Sequence, residues 1–75
     1  MRTLNEIPVG SSVKIVKVTG DMPTKRRLMD MGLTKNTEVN VLKLAPLGDP
    51  IELRVRGYDL SIRKDDAKHI GVEEL

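Results

Sequence analysis

Cysteine, phenylalanine and tryptophan are absent from this chain of 75 residues, and Tyr58 is its single aromatic residue. The absence of cysteine excludes disulfides and thiolate chemistry and is typical of a reducing compartment. Without large aromatic anchors, valine, isoleucine, leucine and the four methionines must supply the packing, which favours a compact, twisted sheet. At this length one small aliphatic core is expected, so residues 1–75 are predicted to form a single domain.

Long apolar runs and a strong charge of one sign are also missing. No segment approaches the ~20 apolar residues that span a bilayer, and no N-terminal apolar run follows positive charge, so we expect a soluble, cytoplasmic domain. Thirteen Lys and Arg residues against eleven Asp and Glu residues leave a formal charge of +2. That balance is too mild to indicate a nucleic-acid partner by itself.

The residues that carry most enzymatic chemistry are few or poorly arranged. No serine has an evident histidine and carboxylate around it, and the glycines are scattered singly instead of forming a phosphate-binding loop. Asp65 and Asp66 are adjacent and point apart, which is poor geometry for a paired acid and base. A helical turn could bring one of them near His69, but a surface turn with a solvated imidazole is the stronger interpretation. We therefore predict no enzymatic activity and no catalytic, cofactor-binding or metal-binding residue.

Two apolar segments predict bent strands. In residues 13–18 and 39–44 the alternation of apolar side chains shifts parity, which is typical of a β-bulge. Two bent strands in so short a chain favour a closed or nearly closed sheet. Ahead of the first strand, the spacing of Leu4 and Ile7 predicts a single helical turn under the core.

A hairpin is predicted over residues 51–62, with Arg56 and Gly57 as its two-residue turn. This register sets Val55 opposite Tyr58, and the two pairs beyond it on that face are also apolar. We accordingly expect the Tyr58 ring to point inward. The other face pairs Arg54 with Asp59, and a slip of one residue would bury Arg54, so the register is well determined.

One helix is predicted, from Pro23 to about Met31. Asp21 or its neighbour can cap its start, and Gly32 suits a left-handed C-cap. Leu28 and Met31 share one face, which we expect to be buried, whereas Met22 and Met29 share another with Arg26 between them. For this second face the sequence leaves two interpretations open, core packing and an exposed partner surface.

The segment Ala45–Pro50 is a short loop bracketed by two prolines. Proline fixes φ, so the loop is stiff, and Gly48 at its tip can adopt a backbone conformation that other residues avoid. Such a loop is typical of a segment that presents side chains to a partner.

Several of these segments together resemble one family along nearly the whole chain. In order they are Arg26–Leu33, Thr37–Val39, Ala45–Pro50, Arg56–Gly57 and Leu60–Arg63. In this order they are similar to the ferrous iron transport protein A family, FeoA. The proline-bracketed loop is the most specific of them.

The resemblance implies a mainly β fold, a small five-stranded SH3-like barrel with one short α-helix between the first two strands. It also implies a cytoplasmic, non-enzymatic protein that assists or regulates the ferrous iron permease FeoB through the permease's cytoplasmic region. Membrane association is then expected only through that partner. The resemblance does not imply a tight iron site or a cofactor.

Two alternatives to the permease stay open. One is a small barrel that binds RNA or DNA through its basic side chains, although a single inward-pointing tyrosine leaves nothing on which bases can stack. The candidate basic residues are Lys25, Arg26, Arg27, Lys35, Arg54, Arg56 and Arg63. The other is a stand-alone relative of the C-terminal domain of metal-dependent repressors.

The hypothesis for the partner surface combines the loop tip with the outer face of the helix. Its residues are Met22, Arg26, Met29, Leu47, Gly48 and Asp49. A stiff loop loses little entropy on binding, and exposed methionine adapts to different partners. The alternative is structural, with Leu47 capping the barrel end and Gly48-Asp49 only completing a turn. Free strand edges also leave a weak homo-oligomer open.

Overall fold

The computed structural model describes residues 2–75, which form one antiparallel sheet and two short α-helices. The strands are β1 (Arg2–Thr3), β2 (Ser12–Val18), β3 (Glu38–Leu44), β4 (Ile51–Val55), β5 (Tyr58–Ile62) and β6 (Ile70–Glu74). The helices are α1 (Met22–Asp30) and α2 (Lys64–Ala67), and 3-10 turns cover Leu4–Glu6 and Pro46–Gly48.

The strand order across the sheet is β1-β6-β2-β3-β4-β5. The mainly β prediction is confirmed, but six strands replace the expected five, because the two residues of β1 add to the edge of β6. Helix α1 consequently lies between β2 and β3. The sequence favours a closed or nearly closed sheet. Within the described residues, however, β1 and β5 are the outer strands, so hydrogen bonding does not close the sheet.

The two predicted strand irregularities are confirmed. The pairing of β2 with β6 shifts register between Ile15 and Lys17, and that of β3 with β4 shifts between Val41 and Lys43. In β2 the apolar side chains stay on the inner side across the shift, with Val13 and Ile15 buried and Val18 partly buried, whereas in β3 Val39 and Val41 are buried and Leu44 beyond the shift is exposed. The bends curl the sheet around one aliphatic core.

The hairpin of β4 and β5 has the predicted register throughout. Leu53 pairs with Leu60, and Val55 pairs with Tyr58 across the turn. On the outer face the Arg54 Nε donates to Asp59 Oδ1 at 2.8 Å. Local alternation and a two-residue turn were sufficient to determine this element.

Both ends of α1 follow the sequence signals. The Thr24 N–H donates to the Asp21 carboxylate at 2.9 Å, which makes Asp21 the N-cap. At the other end Gly32 has φ +94°, and the Leu33 N–H donates to the Leu28 carbonyl at 3.1 Å. This is the left-handed C-cap that a glycine after the last turn predicts.

The core consists of aliphatic side chains from every strand except β1, together with the N-terminal turn and both helices. Leu28 is fully buried as predicted, and Met31 packs against the core partly buried. The expectation that methionine carries core packing is wrong for Met22 and Met29, which are exposed. A helix of nine residues has one face to bury, and Leu28 occupies it. Met1 lies outside the described residues.

The expectation that the Tyr58 ring points inward is also wrong, since 46% of the residue is exposed. Its hydroxyl donates to the Met31 carbonyl at 2.7 Å, so the ring extends from β5 over the end of α1. A Cβ at Gly32 would lie 2.5 Å from the Tyr58 hydroxyl oxygen. Gly32 therefore provides both the left-handed cap and the space for this ring.

Candidate partner-binding surface

The Ala45–Pro50 loop is held closed by its own backbone. The Ala45 N–H donates to the Pro50 carbonyl at 3.0 Å, and the Gly48 N–H donates to the Ala45 carbonyl at 2.8 Å. Within this frame Leu47 has φ +70° and Gly48 has φ +79°. The sequence predicted a left-handed glycine, but a left-handed leucine beside it carried no sequence signal.

Leu47 is the most exposed large apolar residue among those described, at 101% of its reference area. The interpretation in which Leu47 caps the end of the barrel is therefore wrong. A left-handed backbone costs a non-glycine residue about 1 kcal/mol, and Leu47 gains no burial that offsets this cost.

Asp49 has a structural contact inside the molecule. Its Oδ1 accepts a hydrogen bond from the Lys64 N–H at 3.0 Å, at the start of α2. A carboxylate at a helix N-terminus satisfies a free donor and favours the helix dipole. Asp49 therefore orients the loop against α2 and fixes the direction in which Leu47 projects.

The outer face of α1 is exposed. Of the two interpretations left open by the sequence, this excludes core packing and agrees with an exposed surface. Met22 is 66% exposed, Met29 is 44% exposed and Arg26 is also exposed. Met22 and Arg26 share an open groove with neighbours on the same helix, whereas Met29 lies outside the residues that line it. The groove residues are Met22, Pro23, Arg26, Arg27, Asp30 and Met31.

Helix α2 links the loop to α1. Its first residue, Lys64, is capped by Asp49 from the loop. Two residues later, Asp66 accepts a hydrogen bond from the Arg27 guanidinium at 2.6 Å. The sequence indicated at most a helical turn at Asp65 and Asp66 and no second helix, because four residues carry no detectable periodicity.

The adjacent aspartates of α2 do point apart, as predicted. Asp66 binds Arg27, whereas Asp65 forms an ion pair with Lys68 at 3.2 Å. Residues 2–75 contain no group of three or more His, Cys, Asp or Glu side chains arranged to hold a metal ion. Among the described helices, none is long and apolar enough to cross a membrane.

Three exposed carboxyl groups have lowered pKa values because the folded chain donates hydrogen bonds to them. Hydrogen bonds from Thr24 lower the pKa of Asp21, and the Arg54 guanidinium lowers the pKa of Asp59. The Thr3 N–H lowers the pKa of Glu6 in the N-terminal turn. All three groups stabilise capped or paired elements and none belongs to the loop tip.

Comparison with known proteins gives a consistent result. The sequence profile of the FeoA domain family matches residues 2–74. A Porphyromonas gingivalis protein described as a fusion of Fe(2+) transport protein A with the Fe(2+) transporter FeoB is 36% identical over 70 residues. This region is 93% of the present chain but only 8% of that curated relative.

Solved structures agree with the profile. The FeoA-like protein of Clostridium acetobutylicum has a TM-score of 0.91 at 46% identity, over 97% of this chain and 85% of that one. Stenotrophomonas maltophilia FeoA, solved with zinc and described as an SH3 domain protein, has a TM-score of 0.83 at 27% identity, with 97% and 91% covered. The SH3-like fold is thereby confirmed.

A manganese-dependent transcriptional repressor shares the fold with a TM-score of 0.89 at 17% identity, over 99% of this chain and 41% of that one, which shows the fold alone. The family match, in contrast, runs through every strand and both helices described above. The chain therefore belongs to the FeoA domain family.

Proposed function

We propose that this domain is a cytoplasmic accessory of ferrous iron uptake, and that it assists or regulates a FeoB-type permease by binding the permease's cytoplasmic region. The fused relative supports the pairing, because covalent linkage keeps the two partners at high effective concentration.

Leu47 is the single observation that carries the proposal. Its side chain is fully exposed and its backbone is left-handed, so neither burial nor turn geometry accounts for leucine at this position. Asparagine or glycine would satisfy the same turn with less strain. A stiff loop presenting an apolar side chain loses little entropy when that side chain enters a partner's pocket.

The outer face of α1 supplies the second half of the proposed surface. Met22 and Met29 expose flexible thioether side chains next to the positive charge of Arg26. In this arrangement Leu47 is the anchor, and the methionines add adaptable contact area around it. Gly48 and Asp49 belong to the surface because they hold the loop in shape.

The test measures how much of the domain is retained on beads that carry the cytoplasmic region of the FeoB-type permease from the same organism. Leu47→Asp should reduce retention to the level of empty beads, because a carboxylate cannot enter an apolar pocket without a large desolvation cost. Met29→Gln should reduce retention only in part. The melting temperature of both variants should remain close to that of the parent domain.

Leu75→Asp is the matched control, because Leu75 is also exposed, at 67%, and lies outside the proposed surface. It adds the same charge and should leave retention unchanged. If Leu47→Asp and Leu75→Asp are both retained like the parent domain, Leu47 is not the anchor. If the parent domain itself is not retained, the proposed function is wrong.

A further inference from the structure

A second surface lies toward the end of the β3–β4 pair that is opposite the loop, and it forms an open polar cleft of about 650 Å³. Its lining brings together three cationic side chains, Lys35, Arg54 and Arg56, with the amides of Asn36 and Asn40. Against these three cations stand Glu38 in the lining and Asp59, which is paired with Arg54, so the excess is one positive charge. The chain as a whole is almost balanced, which makes this concentration a local feature.

Arg56 occupies a backbone position for which arginine is a poor choice. It has φ +52° and is followed by Gly57 with φ +84°, so both residues of the hairpin turn are left-handed. A turn of this type favours Asn-Gly, because asparagine tolerates the left-handed conformation better than residues with long side chains. The turn itself therefore does not account for arginine.

The Arg56 guanidinium is held in a defined orientation by two hydroxyl groups. Its Nη2 donates to Thr34 Oγ1 at 3.1 Å and to Thr37 Oγ1 at 3.2 Å. The two hydroxyl oxygens are 2.9 Å apart, and Thr37 is buried with 6% of its area exposed. Only Nη2 is used in these contacts, so Nε and Nη1 retain donors for another acceptor.

The other two cations differ in how they are held. Arg54 is oriented by Asp59 through Nε at 2.8 Å and Nη2 at 3.4 Å, which leaves Nη1 free of that contact. Lys35 makes no ion pair with any residue of the described chain. The cleft thus combines two oriented guanidinium groups with one ammonium group that is not held by an ion pair within the described residues.

We propose that this cleft binds a small multivalent oxyanion, either a phosphate ester or a polycarboxylate. Guanidinium forks match the geometry of both oxyanions, and the asparagine amides add uncharged donors. The volume lies within the range of small-ligand sites, about 300–1,000 Å³. No aromatic side chain contributes to the lining, so the charged group and not a stacked base carries the recognition.

The experiment is a titration of the isotope-labelled domain at low ionic strength, with pyrophosphate and with citrate in separate samples. Amide resonances of residues 35–40 and 54–57 should shift in a saturable way. Arg56→Asn should weaken binding at least tenfold. Its melting temperature should equal or exceed that of the parent, because asparagine suits the turn.

Arg63→Asn is the matched control, since Arg63 is exposed, lies outside the cleft, and precedes α2 at a position that asparagine tolerates. It removes the same charge and should leave the affinity within twofold. Binding of pyrophosphate alone identifies phosphate groups as the ligand chemistry, binding of citrate alone identifies a polycarboxylate, and binding of both identifies the shared oxyanion chemistry.

Three results would overturn the proposal. The first is the lack of a saturable amide shift with either anion, and the second is an equal loss of anion affinity in Arg56→Asn and Arg63→Asn. The third is a set of amide shifts spread over all basic residues instead of the cleft. The cleft does not depend on the loop or on a permease. Leu47→Asp should therefore bind the same anion with unchanged affinity.

Discussion

At Gly32 a backbone conformation and a distant side chain impose the same requirement. The residue is left-handed, and the Tyr58 hydroxyl occupies the space that a Cβ would fill. The first requirement was predictable from the sequence, because a glycine after a helix is a local signal. The position of the ring was not, because alternation along β5 does not show whether a long side chain bends back over the surface.

Gly32→Ala should destabilise the domain by about 2 kcal/mol or more, because backbone strain and the loss of the tyrosine hydrogen bond act together. Gly10→Ala is the control, since Gly10 has φ +91° and an added Cβ there would have no neighbour within 4 Å, so only strain of about 1 kcal/mol applies. Chemical denaturation of both variants measures the difference.

The double variant Gly32→Ala/Tyr58→Phe tests the steric part. Without the hydroxyl oxygen the nearest atom in the contact is the Tyr58 ring carbon Cζ, at 3.8 Å, which is ordinary van der Waals distance. The sum of the free energies of unfolding lost by the two single variants should therefore exceed the free energy lost by the double variant. Simple additivity would show that the ring does not restrict Gly32.

At the scale of elements, α1 and the β4–β5 hairpin were predictable because their signals are local. Asp21 caps the helix, and the alternating residues of the hairpin permit one register. Helix α2 was not predictable, because four residues have no period and its N-terminus is capped by Asp49 from another loop. The loop was recognised as stiff, but the orientation of Leu47 depends on that same tertiary contact.

The cap of α1 predicts a defined dependence on pH. Hydrogen bonds from Thr24 lower the pKa of Asp21 in the folded state below its value in the unfolded chain. The resulting stabilisation is fully present above the unfolded value, about pH 4, and is lost as the pH falls through the lower folded value. An asparagine at the same position also caps the helix but does not titrate.

Asp21→Asn should therefore be no more stable than the parent domain at pH 7 and should gain on it as the pH falls toward about 2.5. Urea denaturation midpoints of the two proteins across this range measure the effect. Glu6 and Asp59 titrate in both proteins, so they cancel in the comparison. Midpoints that change in parallel would show that the cap does not contribute through its charge.

At the scale of the whole molecule, stability is concentrated in one small aliphatic core. For 75 residues the free energy of unfolding is expected to be about 4–11 kcal/mol, so a single core truncation removes a large part of it. The composition predicted correctly that valine, isoleucine and leucine form this core, although Val9, Leu44, Leu47 and Leu75 are exposed. It could not separate buried from exposed methionine, because that depends on which face of α1 meets the sheet.

Two leucines give the clearest contrast between stability and function. Leu53 is fully buried, so Leu53→Ala should cost about 2–5 kcal/mol. Leu47 is fully exposed, so Leu47→Asn should leave the free energy of unfolding unchanged or raise it, since asparagine tolerates the left-handed backbone. A large loss of stability in Leu47→Asn would mean that the loop is part of the fold and not a presented surface.

The most direct test of permease binding is a titration of the isotope-labelled domain with the cytoplasmic region of the FeoB-type permease. Binding through the proposed surface predicts that amide shifts and line broadening concentrate in residues 45–49 and in the outer face of α1, and that Leu47→Asp abolishes them. Leu75→Asp should reproduce the parent spectrum changes. Shifts confined to other surfaces, or a Leu47→Asp variant that binds like the parent, would contradict it.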